Sequence, residues 1–397
     1  MARLSTRITT INGGGDDGWG VFLKARRMIA QGTPVTELTI GEHDIRTDPS
    51  ILAAMDSAAR AGHTGYAMVP GTDRLRDTVA KRVTARTGVP TTRDNVIITP
   101  GGQAALFATH HATNDAGDTA LMIDPYYATY PGTIRAVGAR PGIIPTRSRD
   151  AFAPQRAEID RAVETSRAAG STPRSLLVNS PNNPTGAIYG ADTMQAIARA
   201  ACDHDLWLIS DEVYDTQVWE GDHISPRQLP GMADRVLVIG SMSKSHAMTG
   251  SRVGWIVGPE QGIAHLIDLA TNTTYGVPGY IQAAADFALN AGQQLEDDIG
   301  APFRRRRAIA QKVLGAQQLV GSIPSQGAMY LMLDIRRTGL SGEAFANRLL
   351  DTHHIAVMPG ESFGASAAGH IRVAMTVEDT AFERALGTLC EFAASVA

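Results

Sequence analysis

Six short, unbroken runs of apolar residues constrain the fold of this sequence more than any other feature. Segments of helical or loop character separate most of the runs, which begin near residues 96, 121, 175, 206, 236 and 253. Continuous apolarity is typical of strands buried on both faces, whereas a half-exposed strand alternates apolar and polar residues. The pattern therefore predicts an α/β fold with helices covering a mostly parallel sheet. No crossover helix fits between the last two runs, so we expect one of these strands to run antiparallel.

The sequence beyond about residue 290 has a different pattern. A long helical stretch over 292–316 is followed by alternating strands and helices. This alternation predicts a smaller α+β domain that the N-terminal residues complete. We therefore expect a large α/β domain over 41–290 and a small α+β domain formed by 1–40 and 291–397.

Two further segments of the chain are distinctive but carry no predicted chemistry. The glycine-rich stretch 12–18 is typical of a mobile arm or loop. The run Arg304–Arg307 lies in the long predicted helix, and because the chain as a whole is acidic we interpret it as a solvated helix face.

Composition excludes several classes of function. The 397 residues carry 36 basic and 40 acidic side chains, and the net charge of −4 gives no electrostatic footprint for nucleic acid or an anionic membrane. No apolar run approaches the ~20 residues needed to span a bilayer. Two cysteines are too few for a disulfide framework or a thiolate metal cage, and adjacent histidines on a helix point apart, so no metal site is predicted. We expect a cytoplasmic protein.

Only four of the 36 basic residues are lysines, so a site that needs an amine has few candidates. Lys24, Lys81 and Lys312 lie in helical segments beside other basic residues, where a solvated position is expected. Lys244 instead follows the apolar run 236–240, among small hydroxyl residues. A lysine at a strand end among small donors is suited to holding a cofactor covalently, although an ordinary loop lysine would have the same local sequence.

Polar turns also follow three of the other predicted strands. Asp211 and Tyr214 lie just beyond one strand, an amide-rich turn containing Asn183 follows another, and the turn Thr99–Gln103 precedes a helix. Ligands of α/β sheets bind at the carboxyl ends of strands, and glycines before a helix expose N–H groups suited to phosphate. One such turn would be a weak signal, but four turns after strands together predict a ligand site.

Several motifs keep the order and spacing of a known family. They are Ser241-x-Ser-Lys244-x3-Met-Thr-Gly-x-Arg252, Asn183-Pro-Thr-Gly, Asp211-x2-Tyr214 and Tyr66-x4-Gly71, followed late in the chain by Arg372. With this arrangement the chain resembles the class I/II pyridoxal-phosphate-dependent aminotransferases, from about Gly41 to Arg372. The resemblance implies fold type I, with a seven-stranded sheet in the large domain, and transfer of an amino group from an L-amino acid to a 2-oxo acid. Stretches at 204–214, 229–235 and 366–372 are most similar to the arginine:pyruvate transaminase branch.

The resemblance also implies roles for individual residues. Lys244 would hold the cofactor and move the proton at the substrate Cα, Asp211 would keep the cofactor's ring nitrogen protonated, and Arg372 would bind the substrate carboxylate. The other implied contacts are Asn183 and Tyr214 with the ring's 3-oxygen, Tyr127 with the ring face, Asn183 and Gly41 with the substrate, and Gly101, Gly102, Gln103, Ser241 and Arg252 with the phosphate. Tyr66 would reach the phosphate of a partner subunit, which implies a homodimer with shared active sites. Tyr126 and Tyr130 are expected to be packing residues.

Two departures from the family pattern bear on the amino donor. Ser251 stands where an aromatic residue is common, and Gly41-Glu-His-Asp-Ile45 replaces Gly-x-Pro-Asp-Phe near the expected substrate entrance. Three acidic residues, Asp16, Asp17 and Glu42, are candidates to meet a cationic side chain, although loop solvation would explain each of them alone. With the arginine:pyruvate-like stretches, they favour a basic or broadly tolerated donor and pyruvate as acceptor.

Three alternatives remain open. The first is an aspartate- or aromatic-type aminotransferase that uses 2-oxoglutarate, and the second is a pyridoxal-phosphate-dependent β-lyase with the same anchor and ring contacts. The third is a non-catalytic regulatory module of this fold, which is disfavoured because Lys244, Asp211 and Arg372 are all present without an appended DNA-binding segment. A nicotinamide dehydrogenase is excluded because no dinucleotide fingerprint follows a predicted strand.

Overall fold

The computed structural model describes residues 2–13 and 18–397. Most of the predicted arm over 12–18 therefore lies outside the described residues, as do Asp16 and Asp17. The helices of the described part are α1 (Thr6–Thr9), α2 (Gly20–Ala30), α3 (Pro49–Arg60), α4 (Asp73–Thr87), α5 (Gly102–Thr113), α6 (Tyr130–Ala136), α7 (Arg156–Ala168), α8 (Ala191–Asp203), α9 (Met242–Ser245), α10 (Glu260–Thr271), α11 (Gly279–Asn290), α12 (Gln293–Gly315), α13 (Gly342–His353) and α14 (Asp379–Val396). The strands are β1 (Thr36–Glu37), β2 (Val96–Thr99), β3 (Thr119–Asp124), β4 (Arg140–Pro145), β5 (Pro173–Asn179), β6 (Trp207–Asp211), β7 (Val236–Ser241), β8 (Gly254–Val257), β9 (Gly321–Ser322), β10 (Tyr330–Asp334), β11 (Ile355–Ala356), β12 (Met358–Pro359) and β13 (His370–Ala374).

Seven strands form the central sheet of the described chain, in the order β2-β8-β7-β6-β5-β3-β4. All neighbouring pairs are parallel except those of β8, which runs antiparallel to both β2 and β7. The predicted α/β fold and the predicted antiparallel strand are both confirmed. The edge strand β4 is the one that no apolar run marked. It pairs on one side only and contains two prolines and a glycine, which an edge strand tolerates.

Both faces of this sheet are buried, which explains the continuous apolarity of its strands. Leu208 and Val238 point to the face covered by α3, α4, α7, α8 and α11, whereas their neighbours Ile209 and Leu237 point to the face covered by α5, α6 and α10. Each fully buried aliphatic side chain of this kind stabilises the fold by about 1.5–3 kcal/mol. The sheet is thus a rigid frame whose strand ends hold the polar turns in place.

A second, antiparallel sheet has the order β12-β13-β10-β9, and the short strand β1 pairs in parallel with β11. It shares a hydrophobic cluster with α2, α12, α13 and α14. Tyr214, from the turn after β6, belongs to this same cluster, so the polar turns of the central sheet face the second sheet. The boundaries expected at residues 40 and 290 stay a prediction.

The interpretation of Arg304–Arg307 as a solvated face is wrong for its last two residues. The guanidinium of Arg306 donates to both carboxylate oxygens of Asp44, at 2.9 and 2.6 Å, and to Asp379 at 2.8 Å, and its side chain is only 3% exposed. Arg307 donates to the carbonyl of Ser325 at 2.6 Å and pairs with Glu220. The sequence pattern could not locate these acceptors because they come from distant segments. No helix among the described residues is long and apolar enough to cross a bilayer.

Candidate active site

A cavity of about 330 Å³ lies where the two sheets face each other. The last residues of β5, β6 and β7, namely Asn179, Asp211 and Ser241, line one side of it. The other side is formed by Tyr330 from β10 and Arg372 from β13. Carboxyl ends of parallel strands are the usual ligand site of α/β sheets, and the second sheet closes this site from above.

One end of the cavity is suited to a phosphate group. The first turn of α5, which begins at Gly102, presents its N–H groups there beside Ser241 and Arg252. A Cβ at Gly101 would lie 2.3 Å from a guanidinium nitrogen of Arg252, so glycine is what allows this cation to lie against the backbone. The N-terminus of α5 and the guanidinium of Arg252 are both positive, so together they favour the binding of a dianion. The side chain of Gln103 is turned to α6, where it bonds to Thr129 and Thr133.

Asp211 is a buried residue in the wall of the cavity. Burial raises the pKa of its carboxyl to about 6, although the Tyr130 hydroxyl and the Val213 N–H donate hydrogen bonds to it and lower the pKa, and the neighbouring Glu212 raises it. No cationic side chain within residues 2–13 and 18–397 forms an ion pair with Asp211. A protonated pyridine nitrogen would supply the missing positive charge.

Tyr130 packs in the core, as expected, but packing is not its only role. Its buried hydroxyl donates a hydrogen bond of 2.6 Å to Oδ2 of Asp211. Tyr126, by contrast, lies outside the lining of this cavity, and its neighbour Tyr127 forms part of the wall. Sequence reasoning could not find this role of Tyr130, because its acceptor is 81 positions further along the chain.

Lys244 lies in the single turn of α9, and its amine donates to the carbonyl of Gly41. Burial lowers the pKa of this amine to about 8, and the Arg372 and Arg252 cations add to that effect, whereas Glu42 raises the pKa. A lysine with such a pKa is partly neutral near pH 7, as a nucleophile or proton acceptor must be. The other lysines lie outside the cavity lining, as expected from the sequence.

Three polar side chains in the wall of the cavity lie within hydrogen-bonding distance of one another. The hydroxyls of Tyr214 and Tyr330 are 2.9 Å apart, and Nδ2 of Asn183 lies 3.5 Å from each. Sequence reasoning did not identify Tyr330 as a residue of this site. A Cβ at Gly41 would lie 1.8 Å from the Tyr330 hydroxyl, so the glycine makes room for this cluster.

Arg372 stands at the far end of the cavity. It donates to Oδ1 of Asn183 at 2.9 Å and to the carbonyl of Thr39, and its guanidinium lies 4.4 Å from the ring centroids of both Tyr330 and Phe363. Burial lowers its pKa, and the described residues include no carboxylate paired with it. A buried cation held against two rings is suited to bind a substrate carboxylate.

The chemistry of this donor set fits pyridoxal phosphate with an amino acid beside it. A cationic cradle, an amine and a buried carboxylate match the phosphate, aldehyde and ring nitrogen of the cofactor, and a second cation remains for the substrate. Among the described residues, no cluster of metal-ligating side chains occurs. Glu42 lines the cavity, whereas Ser251 and Ile45 do not. Tyr66 also lies outside it, 93% exposed, with its ring edge-to-face against Tyr275 at 5.2 Å.

The comparisons with known proteins agree on one family. The family description "Aminotransferase class I and II" matches residues 33–389. The chain is 40% identical over 377 residues to an arginine–pyruvate transaminase of Pseudomonas aeruginosa, with 94% of each chain covered. It is 33% identical to an aspartate/prephenate aminotransferase of Thermus thermophilus, over 92% of this chain and 93% of that one. The solved structure of Thermus thermophilus aspartate aminotransferase with maleate aligns at a TM-score of 0.90 and 30% identity, covering 99% of this chain and 100% of that chain.

Proposed function

The chain belongs to the class I and II aminotransferases and is a pyridoxal-phosphate-dependent transaminase, and from this premise we propose that its favoured amino donor carries a basic side chain, as in L-arginine, with pyruvate as acceptor. The relative with the highest identity quoted above is named for arginine and pyruvate. Relatives named for aspartate match at 33% identity and below, which makes the dicarboxylate alternative the second candidate.

The observation that carries this proposal is the position of Glu42. It lines the same cavity as Arg372, and Thr249 donates a hydrogen bond of 3.0 Å to its carboxylate. With Arg372 binding the α-carboxylate, Glu42 is a carboxylate available to the far end of a cationic donor. Such a charge-assisted contact contributes about 1.5–3 kcal/mol, or roughly ten- to a hundredfold in specificity. An aspartate side chain would instead meet a like charge.

We assign the chemical roles as follows. Bound pyridoxal phosphate supplies an electron sink that lets the Cα–H bond of the amino acid ionise. Lys244 holds the cofactor between turnovers, and its free amine then takes the proton from the substrate Cα. Asp211 holds the proton on the ring nitrogen, while Arg372 orients the substrate through its carboxylate. The other residues that would hold the cofactor are Tyr127 at the ring face, Asn183 and Tyr214 at the ring's 3-oxygen, and Gly101, Gly102, Gln103, Ser241 and Arg252 at the phosphate.

We also propose that the active unit is a cytoplasmic homodimer in which Tyr66 completes the partner's site. Tyr66, Met68 and Tyr275 are exposed on the described chain although they are large and apolar. An open groove of about 810 Å³, with many apolar residues in its walls, adjoins the active site and shares Trp19 and Gln103 with it. Exposed apolar side chains beside an open groove are typical of an interface, and a second copy of the chain would cover them.

A panel of amino donors with pyruvate and 2-oxoglutarate tests the substrate proposal. We expect kcat/KM for L-arginine with pyruvate to exceed that for L-aspartate by at least about tenfold. Glu42→Gln should remove most of that preference, whereas Glu383→Gln, a surface carboxylate paired with Lys312, should leave it unchanged. A preference for aspartate in the parent enzyme would favour the dicarboxylate branch, and 2-oxo acid formation without an acceptor would favour the β-lyase.

A further inference from the structure

Gln217 lies where the segments that carry Tyr214, Lys244 and Tyr330 meet. Its Nε2 donates a hydrogen bond of 3.2 Å to the backbone carbonyl of Lys244. Its own N–H donates to the carbonyl of Tyr214 at 2.8 Å, and its carbonyl accepts from the N–H of Ala328 at 2.8 Å, two residues before Tyr330. One buried residue, 1% exposed, therefore touches all three segments.

The backbone of Gln217 is fixed by close packing on both sides. Val218 forms an antiparallel bridge with Gly327. A Cβ at Gly327 would lie 2.7 Å from both the carbonyl oxygen of Gln217 and the ring of Pro181. The two bridged segments therefore approach as closely as glycine allows. The side-chain amide of Gln217 consequently projects from a rigid point towards α9.

The amide group at position 217 is not explained by packing. Its Oε1 accepts no hydrogen bond from the described residues, and a buried amide oxygen without a partner is unfavourable for folding. Methionine would fill nearly the same space without that penalty. What methionine lacks is the N–H donor, and the group that receives this donor is the carbonyl of Lys244.

The turn that carries Lys244 depends on such external support. The helix α9 has only four residues, and an isolated turn of this length makes too few internal hydrogen bonds to fix its own geometry. Ser241 caps its start by accepting from the N–H of Ser243 at 3.1 Å. Gln217 supports it from the side, at the residue that the proposed mechanism uses.

We propose that Gln217 is a positioning residue that holds the Lys244 turn in register with Tyr214 and Tyr330. It touches neither substrate nor cofactor. Through the Lys244 carbonyl it fixes where the amine lies relative to the two hydroxyls, and a small displacement of a catalytic group slows reaction more than it weakens binding. This inference rests on the proposed role of Lys244 in the reaction.

The test compares Gln217→Met and Gln217→Glu with the parent holoenzyme. We expect kcat to fall between about tenfold and a hundredfold in Gln217→Met, with KM for the amino donor changed less than about threefold. The pH midpoint of the bound cofactor's visible absorption should shift as well, because that absorption reports the environment of the lysine. Gln217→Glu keeps the side chain's size, and its ionised carboxylate offers only acceptors to the Lys244 carbonyl, so at pH values above the pKa of the introduced carboxyl it should lose at least as much activity.

Gln317→Met is the matched control. The Gln317 amide makes four hydrogen bonds to backbone groups in the last turn of α12 and the segment after it, none of them to a residue lining the active site. This variant should lose stability but keep kcat per loaded enzyme and the absorption midpoint. Parent-like kcat in a folded, loaded Gln217→Met enzyme would overturn the proposal, as would an equal loss in the control. If Gln217→Met does not fold, the same comparison is made with Gln217→Glu. A separate experiment decides the role of Lys244: borohydride reduction of the parent holoenzyme, followed by mass analysis of its peptides, identifies the lysine that holds the cofactor.

Discussion

The pKa of the Lys244 amine, lowered to about 8 by burial, gives a direct test of the proposed anchor. Below this pKa the amine is protonated and cannot attack, so covalent uptake of the cofactor by cofactor-free enzyme should accelerate as pH rises through about 8 and then level off. Glu42 raises this pKa. In Glu42→Gln the midpoint should therefore move to lower pH.

Borohydride reduction of the loaded enzyme, followed by peptide mass analysis, identifies the lysine in the same experiment. The cofactor mass should be found on the peptide that contains Lys244. A label on Lys24, Lys81 or Lys312 would contradict the assignment, and so would an uptake midpoint near the ordinary lysine value of about 10.4.

The hydrogen bond from Tyr130 to Asp211 leads to a second prediction at the scale of single residues. The hydroxyl stabilises the carboxylate and lowers its pKa, so its removal raises the pKa. In Tyr130→Phe the acid limb of the plot of kcat against pH should move to higher pH by about 1–2 units. The reason is that a hydrogen bond to a charged group contributes about 1.5–3 kcal/mol. Tyr126→Phe is the control and should leave the profile unchanged. Identical profiles for both variants would show that the Tyr130 hydroxyl has no role at Asp211.

At the scale of elements, Arg306 is the most buried of the four arginines in the run on α12. Arg306 is buried and joins the helix to Asp44, which lies three residues beyond Gly41, and to Asp379 at the start of α14. Without Arg306 the carboxylate of Asp44 loses its ion pair, whereas Asp379 keeps its pair with Arg305. Arg306→Met should therefore lower the free energy of unfolding by about 3–5 kcal/mol, as measured by urea denaturation.

The neighbouring Arg305 is a control on the same helix. It pairs with the same Asp379 at 2.7 Å, but its side chain is 56% exposed. An exposed pair contributes about 0–1 kcal/mol, so Arg305→Met should be close to the parent in stability. Equal losses in the two variants would mean that burial of Arg306 does not decide its contribution.

At the scale of the whole molecule, the proposed sharing of the exposed Tyr66 between subunits can be tested with mixed dimers. If the active site borrows Tyr66 across the interface, a mixture of Lys244→Ala and Tyr66→Phe chains contains hybrid dimers with one complete site. After subunit exchange, the activity of the mixture should then rise above the summed activities of the two separate variants. The dimer fraction measured by sedimentation should stay constant. No gain, with exchange verified by mass, would argue against shared sites.

The sequence by itself determined the fold class and most of the candidate site. Continuous apolar runs mark strands buried on both faces, and the short link between two of them required the antiparallel strand β8. Lys244, Asp211 and Asn183 were found because each lies at or shortly after the end of such a strand, and parallel strands bring their carboxyl ends to one edge of the sheet. These are local patterns, and their consequence in space follows from sheet geometry alone.

Only the tertiary structure decided which side chains complete the site from a distance. Tyr130 reaches Asp211 across 81 positions, and Tyr330 reaches Tyr214 across 116. Gln217 and Arg306 were likewise not identified from sequence, because a buried polar group is recognised by its partners and not by its own neighbours in the chain. Such contacts depend on how helices and loops pack on the sheet, and that packing is set by many apolar contacts together, none of which a short motif records.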